Sequence, residues 1–224
     1  MNAPLRPPGV ASRRTAADSP PEVAADADFP EERRRVVREL WDSGSPDAAR
    51  LVASPTSTRA TVVEDEVLPR DWRLLLFQDN APHGLALYAV AGPEGSAMVL
   101  SRRPEGYAKF ADEAGIGVDS TDEALTTAEF FLDRTRALHV HQSVLHTPSD
   151  AVLSRFADVS KAEEQLERAV KAPSVKQTRN GYRIILYVQR GDRVDRWKGA
   201  VTRSGRIEGA FTTVIEGLPV DLPR

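Results

Sequence analysis

Apolar and polar residues alternate along the first half of the chain with two different periods. A helical period predicts a helix over about residues 31–42 and another over 119–136, where Ser120 or Thr121 can cap the first turn. Alternating and β-branched runs predict strands between the two helices. These strands span residues 59–68, 72–77, 85–91 and 97–102, and a short strand over 138–145 closes this half.

The second half repeats this order of a helix and then strands. Ser160 and Glu163 stand in the spacing of a capping box at the start of a helix predicted over residues 161–171. Four strands follow, and the dipeptides between them accept the positive φ that tight hairpins need. The predicted strands span residues 175–178, 182–189, 193–202 and 206–215, with turns at Asn180-Gly181, Gly191-Asp192 and Ser204-Gly205.

These elements predict an α+β protein with two helix-plus-antiparallel-sheet modules. Residues 1–30 hold six of the sixteen prolines and have no apolar periodicity, so we expect a disordered N-terminal tail. The first module is expected over residues 31–147, and the second, a helix followed by a four-strand meander, over 160–224. A helix wrapped by an antiparallel sheet resembles the layout of cystatin-like and NTF2-like folds. The resemblance is one of layout and carries no motif.

The composition of the chain limits which kinds of partner and which cellular compartment are expected. Thirty Lys and Arg against 33 Asp and Glu give a formal charge of −3, which provides no overall attraction to nucleic acid or anionic lipid. No apolar run approaches the ~18 residues that a membrane-spanning helix needs. The absence of cysteine fits a reducing compartment. We therefore expect a cytoplasmic protein without a membrane partner.

A histidine cluster is the first candidate for chemistry. His139, His141 and His146 are three of the four histidines and lie within eight positions. On a strand, residues two apart face the same side, so His139 and His141 can present adjacent imidazoles to one metal ion. No acidic residue flanks the pair to complete a coordination sphere. A half-exposed strand face is the alternative interpretation, and we favour it.

Acidic residues offer a second candidate at Glu64-Asp65-Glu66. Glu64 and Glu66 would share one face of a strand, where they can serve as an acid–base pair if buried or bind a cation if exposed. A solvated strand edge is the simpler explanation. A pocket of NTF2-like type that uses His139, His141 or Glu66 is thus an alternative function.

Basic and aromatic residues are dense in the last predicted sheet. Trp197, Tyr187 and Arg183 are the candidate binding residues. The aromatic residues alternate with apolar neighbours that must form the core, and acidic residues dilute the basic ones, which argues against nucleic acid as the partner. Arginine and lysine in this region are Arg183, Arg190, Arg193, Arg196, Lys198, Arg203 and Arg206.

The sequence contains no signature of nucleophilic catalysis and indicates no cofactor. We expect a non-catalytic binding or protein-interaction protein, in which a concave sheet embraces a helix, a small ligand or a segment of a partner protein. An enzyme or small-molecule pocket and a metal-binding protein are the alternatives.

Overall fold

A computed structural model describes residues 19–80, 86–137 and 141–221. These residues form an α+β fold with two antiparallel sheets, which confirms the predicted fold class. The helices are α1 (Pro30–Asp42), α2 (Pro46–Ala53), α3 (Pro104–Glu113), α4 (Thr121–Arg134) and α5 (Ser160–Ala169). The strands are β1 (Thr58–Val63), β2 (Arg73–Asp79), β3 (Ala86–Ala91), β4 (Ala97–Val99), β5 (Gln142–Leu145), β6 (Ser174–Thr178), β7 (Gly181–Arg190), β8 (Arg193–Thr202) and β9 (Ile207–Ile215).

The two sheets differ in how their strands are connected. The first sheet is a simple meander in the order β1-β2-β3-β4. In the second sheet β5 and β6 both pair with β7, which is followed by β8 and β9. The strand predicted to close the first module is therefore wrongly placed, because β5 pairs with β7 through Leu145 and Tyr187 in the second sheet.

Apolar side chains on both faces of the first sheet are buried in different clusters. Leu75 and Phe77 of β2 pack with α1 and α2, whereas Leu74 packs on the opposite face in a cluster that includes α3 and α4. The same α3 and α4 cluster contains Leu186 and Trp197 of the second sheet. The two central helices thus separate the sheets, and they share one core with both.

The second sheet has apolar side chains packed on both faces, and α5 covers only part of the second face. Leu186 is fully buried between Ile184 and Val188 on the face toward α4, as their period of two requires. On the other face, Tyr187 and the partly buried Ile185 pack in a cluster with α5. The apolar Ile185 therefore contributes to a second packed layer.

The structure corrects the predicted tail. Residues 1–18 of that tail lie outside the described residues. Val23 and Ala27 are buried with α1 and α2, because they bring apolar side chains to the outer face of the first sheet. Chain that packs on the core therefore begins before residue 30.

The N-terminal caps of α4 and α5 differ in how they agree with the predicted capping boxes. Ser120 caps α4 and forms a capping box with Glu123, as one of the two alternatives predicted. The capping box expected at Ser160 is wrong: Ser160 lies inside α5 and donates to the Asp158 carboxylate, so Asp158 satisfies the first turn instead.

The cystatin-like or NTF2-like layout is not confirmed. Among the described residues, no helix combines the length and apolar character needed to cross a membrane.

Candidate functional site

Strand β9 forms a free edge of the second sheet. It is nine residues long and pairs with β8 on one side, and no other described strand pairs with it. Residues 208–214 are all exposed. Edge strands are normally protected by charge, proline or a bulge. Glu208 is the single charged residue of β9, and the irregularity in its pairing lies at the far end, opposite Val194 and Asp195.

One face of β9 borders a groove beside α4. In the register with β8, Phe211 lies opposite Trp197 and Gly209 opposite Gly199, so these residues share the face toward α4. Helix α4 packs on β7 and β8, and a groove of about 810 Å³ opens between it and β9. We call it the α4–β9 groove. Its apolar walls come from Pro104, Phe131, Leu132, Trp197, Ile207 and Phe211. Polar and charged residues line one end of it, among them Gln142, Arg136, Arg190, Asp192 and Arg193.

A buried carboxylate fixes the position of Phe211 at the end of the groove. Asp195 is fully buried and accepts hydrogen bonds from Arg190 Nε (2.5 Å) and Thr213 Oγ1 (2.7 Å). The guanidinium of Arg190 lies 4.1 Å from the centroid of the Phe211 ring. Asp195 thus joins β7, β8 and β9 and holds Arg190 against Phe211.

The opposite face of the second sheet carries four basic residues without partners. Within the described part of the chain, none of these side chains makes an ion pair or a hydrogen bond to another residue. They are Lys176, Arg183, Arg196 and Lys198, which we call the cationic ladder. Arg196 Nε is itself buried without a hydrogen bond. Neighbouring basic residues differ, since Arg203 and Arg206 pair with Asp119 and Asp112.

The structure separates the three predicted binding residues. Trp197 is 1% exposed in the core toward α4, whereas Tyr187 is 9% exposed in the cluster with α5. Arg183 is exposed and belongs to the cationic ladder. The two aromatic residues therefore lie on opposite faces of the sheet, and Arg183 alone has an open side chain.

The predicted histidine cluster is only partly described. His139 lies outside the described residues, and His141 Nε2 is 3.5 Å from Ser143 Oγ. His146 Nε2 lies 3.1 Å from Oε1 of Glu129 on α4. No group of three metal-ligating side chains occurs among the residues that the structure describes. The proposed metal site, which needs His139, stays a prediction.

Glu66 and His146 meet instead at Glu129. Glu66 and Glu129 line a cavity of about 380 Å³ together with the Arg134 side chain. Burial raises the pKa of Glu129, His146 lowers it, and the nearby Glu66 raises it further. Oε1 of Glu129 is buried without a hydrogen bond, although His146 lies at ion-pair distance. The pKa of Glu129 therefore lies above that of an ordinary surface glutamate.

Replacing Glu129 with Gln tests this pKa. A carboxyl whose pKa is raised in the folded state stabilises the protein below the pKa of the unfolded chain, and this stability is lost as the pH rises through the folded-state pKa. The melting temperature of Glu129→Gln minus that of the parent should therefore be larger at about pH 8 than at about pH 4. The exposed Glu216→Gln provides the control. If the difference in melting temperature between variant and parent were the same at both pH values for Glu129→Gln, as expected for Glu216→Gln, a raised pKa would be contradicted.

No family model, no curated protein and no solved structure matches the chain.

Proposed function

We propose that the protein is a non-catalytic interaction protein that binds an extended segment of a partner protein as an added strand beside β9. The observation that carries the proposal is the exposed edge of β9 without a strand partner in the described structure. Main-chain hydrogen bonds supply affinity in this mode of recognition, and pockets for alternate side chains supply specificity.

The length of β9 favours an extended ligand over a compact one. Nine residues of strand span roughly 30 Å, which accommodates a peptide of about the same number of residues. The other strands at sheet edges are shorter: β1 has six residues, β4 three, β5 four and β6 five. Among the described edges, β9 thus offers the longest row of backbone groups to a partner.

The α4–β9 groove gives this edge a source of specificity. Side chains of an added strand alternate between the two faces of the sheet. Those directed toward α4 would enter the groove between Phe131 and Phe211. Arg190 holds the Phe211 ring in place, so this wall is ordered before binding and less side-chain entropy is lost.

The Glu129 cavity supports a second candidate, a small-ligand or acid–base pocket. The buried Oε1 without a hydrogen bond is the observation that favours it, since a cationic or hydroxyl group of a ligand could supply the missing donor. A thermal-shift screen of small amines and alcohols tests this candidate. A shift in the parent that disappears in Glu129→Gln is expected, and equal shifts in both proteins would contradict the pocket.

Peptide selection tests the proposed strand addition. A phage library of random peptides is selected on the full chain, and the dissociation constants of the enriched peptides are measured. Phe211→Lys puts a charge at the centre of β9, and we expect at least a tenfold weaker affinity, or about 1.4 kcal/mol. Val62→Lys, at an exposed position of the edge strand β1, is the matched control and should bind as the parent does.

Hydrogen exchange supplies the direct structural readout. Binding should slow amide exchange over residues 207–215, because added-strand hydrogen bonds protect the free edge. Enriched peptides that leave exchange in this segment unchanged, or that bind Phe211→Lys as tightly as the parent, would show that β9 is not the binding site. The lack of cysteine fits the cytoplasm as the compartment of this interaction.

A further inference from the structure

We infer that the segment captured by β9 carries acidic side chains at alternate positions on the face toward the cationic ladder and apolar side chains on the face toward α4. The inference rests on the proposed strand addition and specifies its partner. It follows from the charge of one face of the sheet and from the apolar walls that Phe131, Ile207 and Phe211 give the groove on the other.

The cationic ladder is continuous across the sheet. Lys176 lies opposite Arg183 in the pairing of β6 with β7. On β8, Lys198 lies opposite Ile185 of β7, and Arg196 opposite Tyr187. All four basic residues therefore lie on one face. Lys176 and Arg183 are directly opposite, and like charges in that position destabilise a sheet. Among the described residues no carboxylate forms an ion pair with any of the four, and Glu208 is the acidic residue that borders Arg183 and Lys198.

Small residues on β9 leave a path from the ladder to the free edge. Ala210 lies opposite Lys198, and Thr212 lies opposite Arg196. Neither side chain is long enough to cover its basic neighbour. A strand added beside β9 would lie two strand spacings, or about 10 Å, from β8, a distance that a lysine or arginine and a glutamate can span together.

A shallow depression on this face marks where the acidic side chains would fit. It has a volume of about 610 Å³ and lies between Arg183, Lys198 and Ala210. Glu208 borders the depression at one end and lies opposite Ala200. A second carboxylate beside Glu208 would be repelled, so the acidic positions of the partner should lie opposite Ala210 and Thr212.

The same face disfavours a nucleic acid as the occupant. Single-stranded nucleic acids bind through exposed aromatic rings on which bases stack, in addition to a basic groove. Tyr187, the ring of β7 on this face, is 9% exposed, and Tyr182 and Trp197 are buried on the opposite face at 1% exposure each. The one partly exposed ring of β9, Phe211, faces α4. The described strands thus present no exposed aromatic ring on their basic face, which fits carboxylates on a peptide better.

Synthetic peptides of defined pattern test the inference with the full chain. The probes are capped nonapeptides that alternate Val with Glu, Val with Thr, or Val with Lys, a peptide with its Val and Glu in separate blocks, and an oligothymidylate. We expect the Val–Glu peptide to bind at least tenfold more tightly than the Val–Thr peptide at low salt, and this advantage to shrink as salt rises.

Charge reversal identifies the residues responsible. The double variant Arg196→Glu with Lys198→Glu should prefer the Val–Lys peptide to the Val–Glu peptide. Arg59→Glu is the matched control, because Arg59 is exposed on the edge strand β1 and makes no ion pair among the described residues. It should leave the order of affinities unchanged. Circular dichroism of each variant shows whether it is folded.

The outcomes separate the inference from the proposed function. Equal binding of the Val–Glu and Val–Thr peptides, with slowed exchange over residues 207–215, would overturn the acidic pattern and keep strand addition. Absence of binding by every peptide would overturn both. Tighter binding of the oligothymidylate that depends on Lys198 would assign the face to nucleic acid. A concentration-dependent dimer that Phe211→Lys abolishes would assign the edge to a second copy of the chain.

Discussion

Trp197→Ala is expected to reduce the free energy of unfolding by about 3–5 kcal/mol, the cost of truncating a fully buried tryptophan. The indole is 1% exposed and packs in the core shared by the two sheets. A Cβ atom placed on Gly199 would lie 2.1 Å from the Trp197 ring, and one on Gly209 would lie 2.5 Å from it. Glycine at both positions lets the ring lie flat against the backbone of β8 and β9.

Urea denaturation measures this loss. Phe211→Ala is the informative control, because Phe211 lies opposite Trp197 but is 38% exposed. It should cost much less stability while weakening peptide binding. If Trp197→Ala lowered affinity and left stability unchanged, Trp197 would be a binding residue as the sequence predicted, and its burial would have to be reversible.

Asp195→Ala is the second large expected effect, with a loss of about 3–5 kcal/mol in the free energy of unfolding. The substitution removes the fully buried carboxylate that pairs with Arg190 and Arg193 and accepts from Thr213. Arg190 would then be left partly buried without its counter-charge. Because its side chain is 24% exposed, it can turn toward water, and the lower end of the range is expected.

Asp192→Asn serves as the control for Asp195. Asp192 is exposed in the turn between β7 and β8, and a surface substitution there should change stability by less than about 0.5 kcal/mol. Asp195→Ala should also release Phe211 from Arg190 and speed amide exchange over β9. Losses of equal size in the two variants would show that the buried network does not hold the strand.

The elements of the second half were predictable because their signals are local. Strands β7, β8 and β9 form within one or two residues of their predicted limits, and each begins next to a predicted turn dipeptide. A strand pattern of period two and glycine-containing turns depend only on neighbouring residues. The burial of Leu186 on one face and the packing of Ile185 on the other follow from the same period.

Two helices escaped prediction because their local signals are weak. Helices α2 and α3 both begin with a proline in the first turn, a position that suits proline although the residue usually marks a break. Gly106 lies inside α3, where it lowers helix propensity. Glycine is required there by tertiary packing, since a Cβ atom would lie 2.1 Å from the carbonyl oxygen of Val99.

The candidate site depended on long-range pairing that a single sequence does not show. The sequence shows that the last sheet is rich in basic residues, but which of them are neutralised depends on distant acids such as Asp112, 94 residues from Arg206. Asp195 does carry a local signal, because it follows Val194 within a strand and shares a face with Trp197. An acidic residue among core positions of a strand must find buried partners.

The core that α3 and α4 share with both sheets stays incomplete during synthesis until the second sheet has been made. The ribosome produces β2, β3, α3 and α4 first, and their apolar side chains include Tyr107 and Phe110. Leu186 and Trp197, which complete the same core, emerge about 80 residues later, or several seconds at ribosomal speeds. During this interval the nascent chain exposes the apolar surface that the second sheet will cover. Rare codons placed between α4 and β7 should therefore raise the fraction of the protein that aggregates or recruits chaperones.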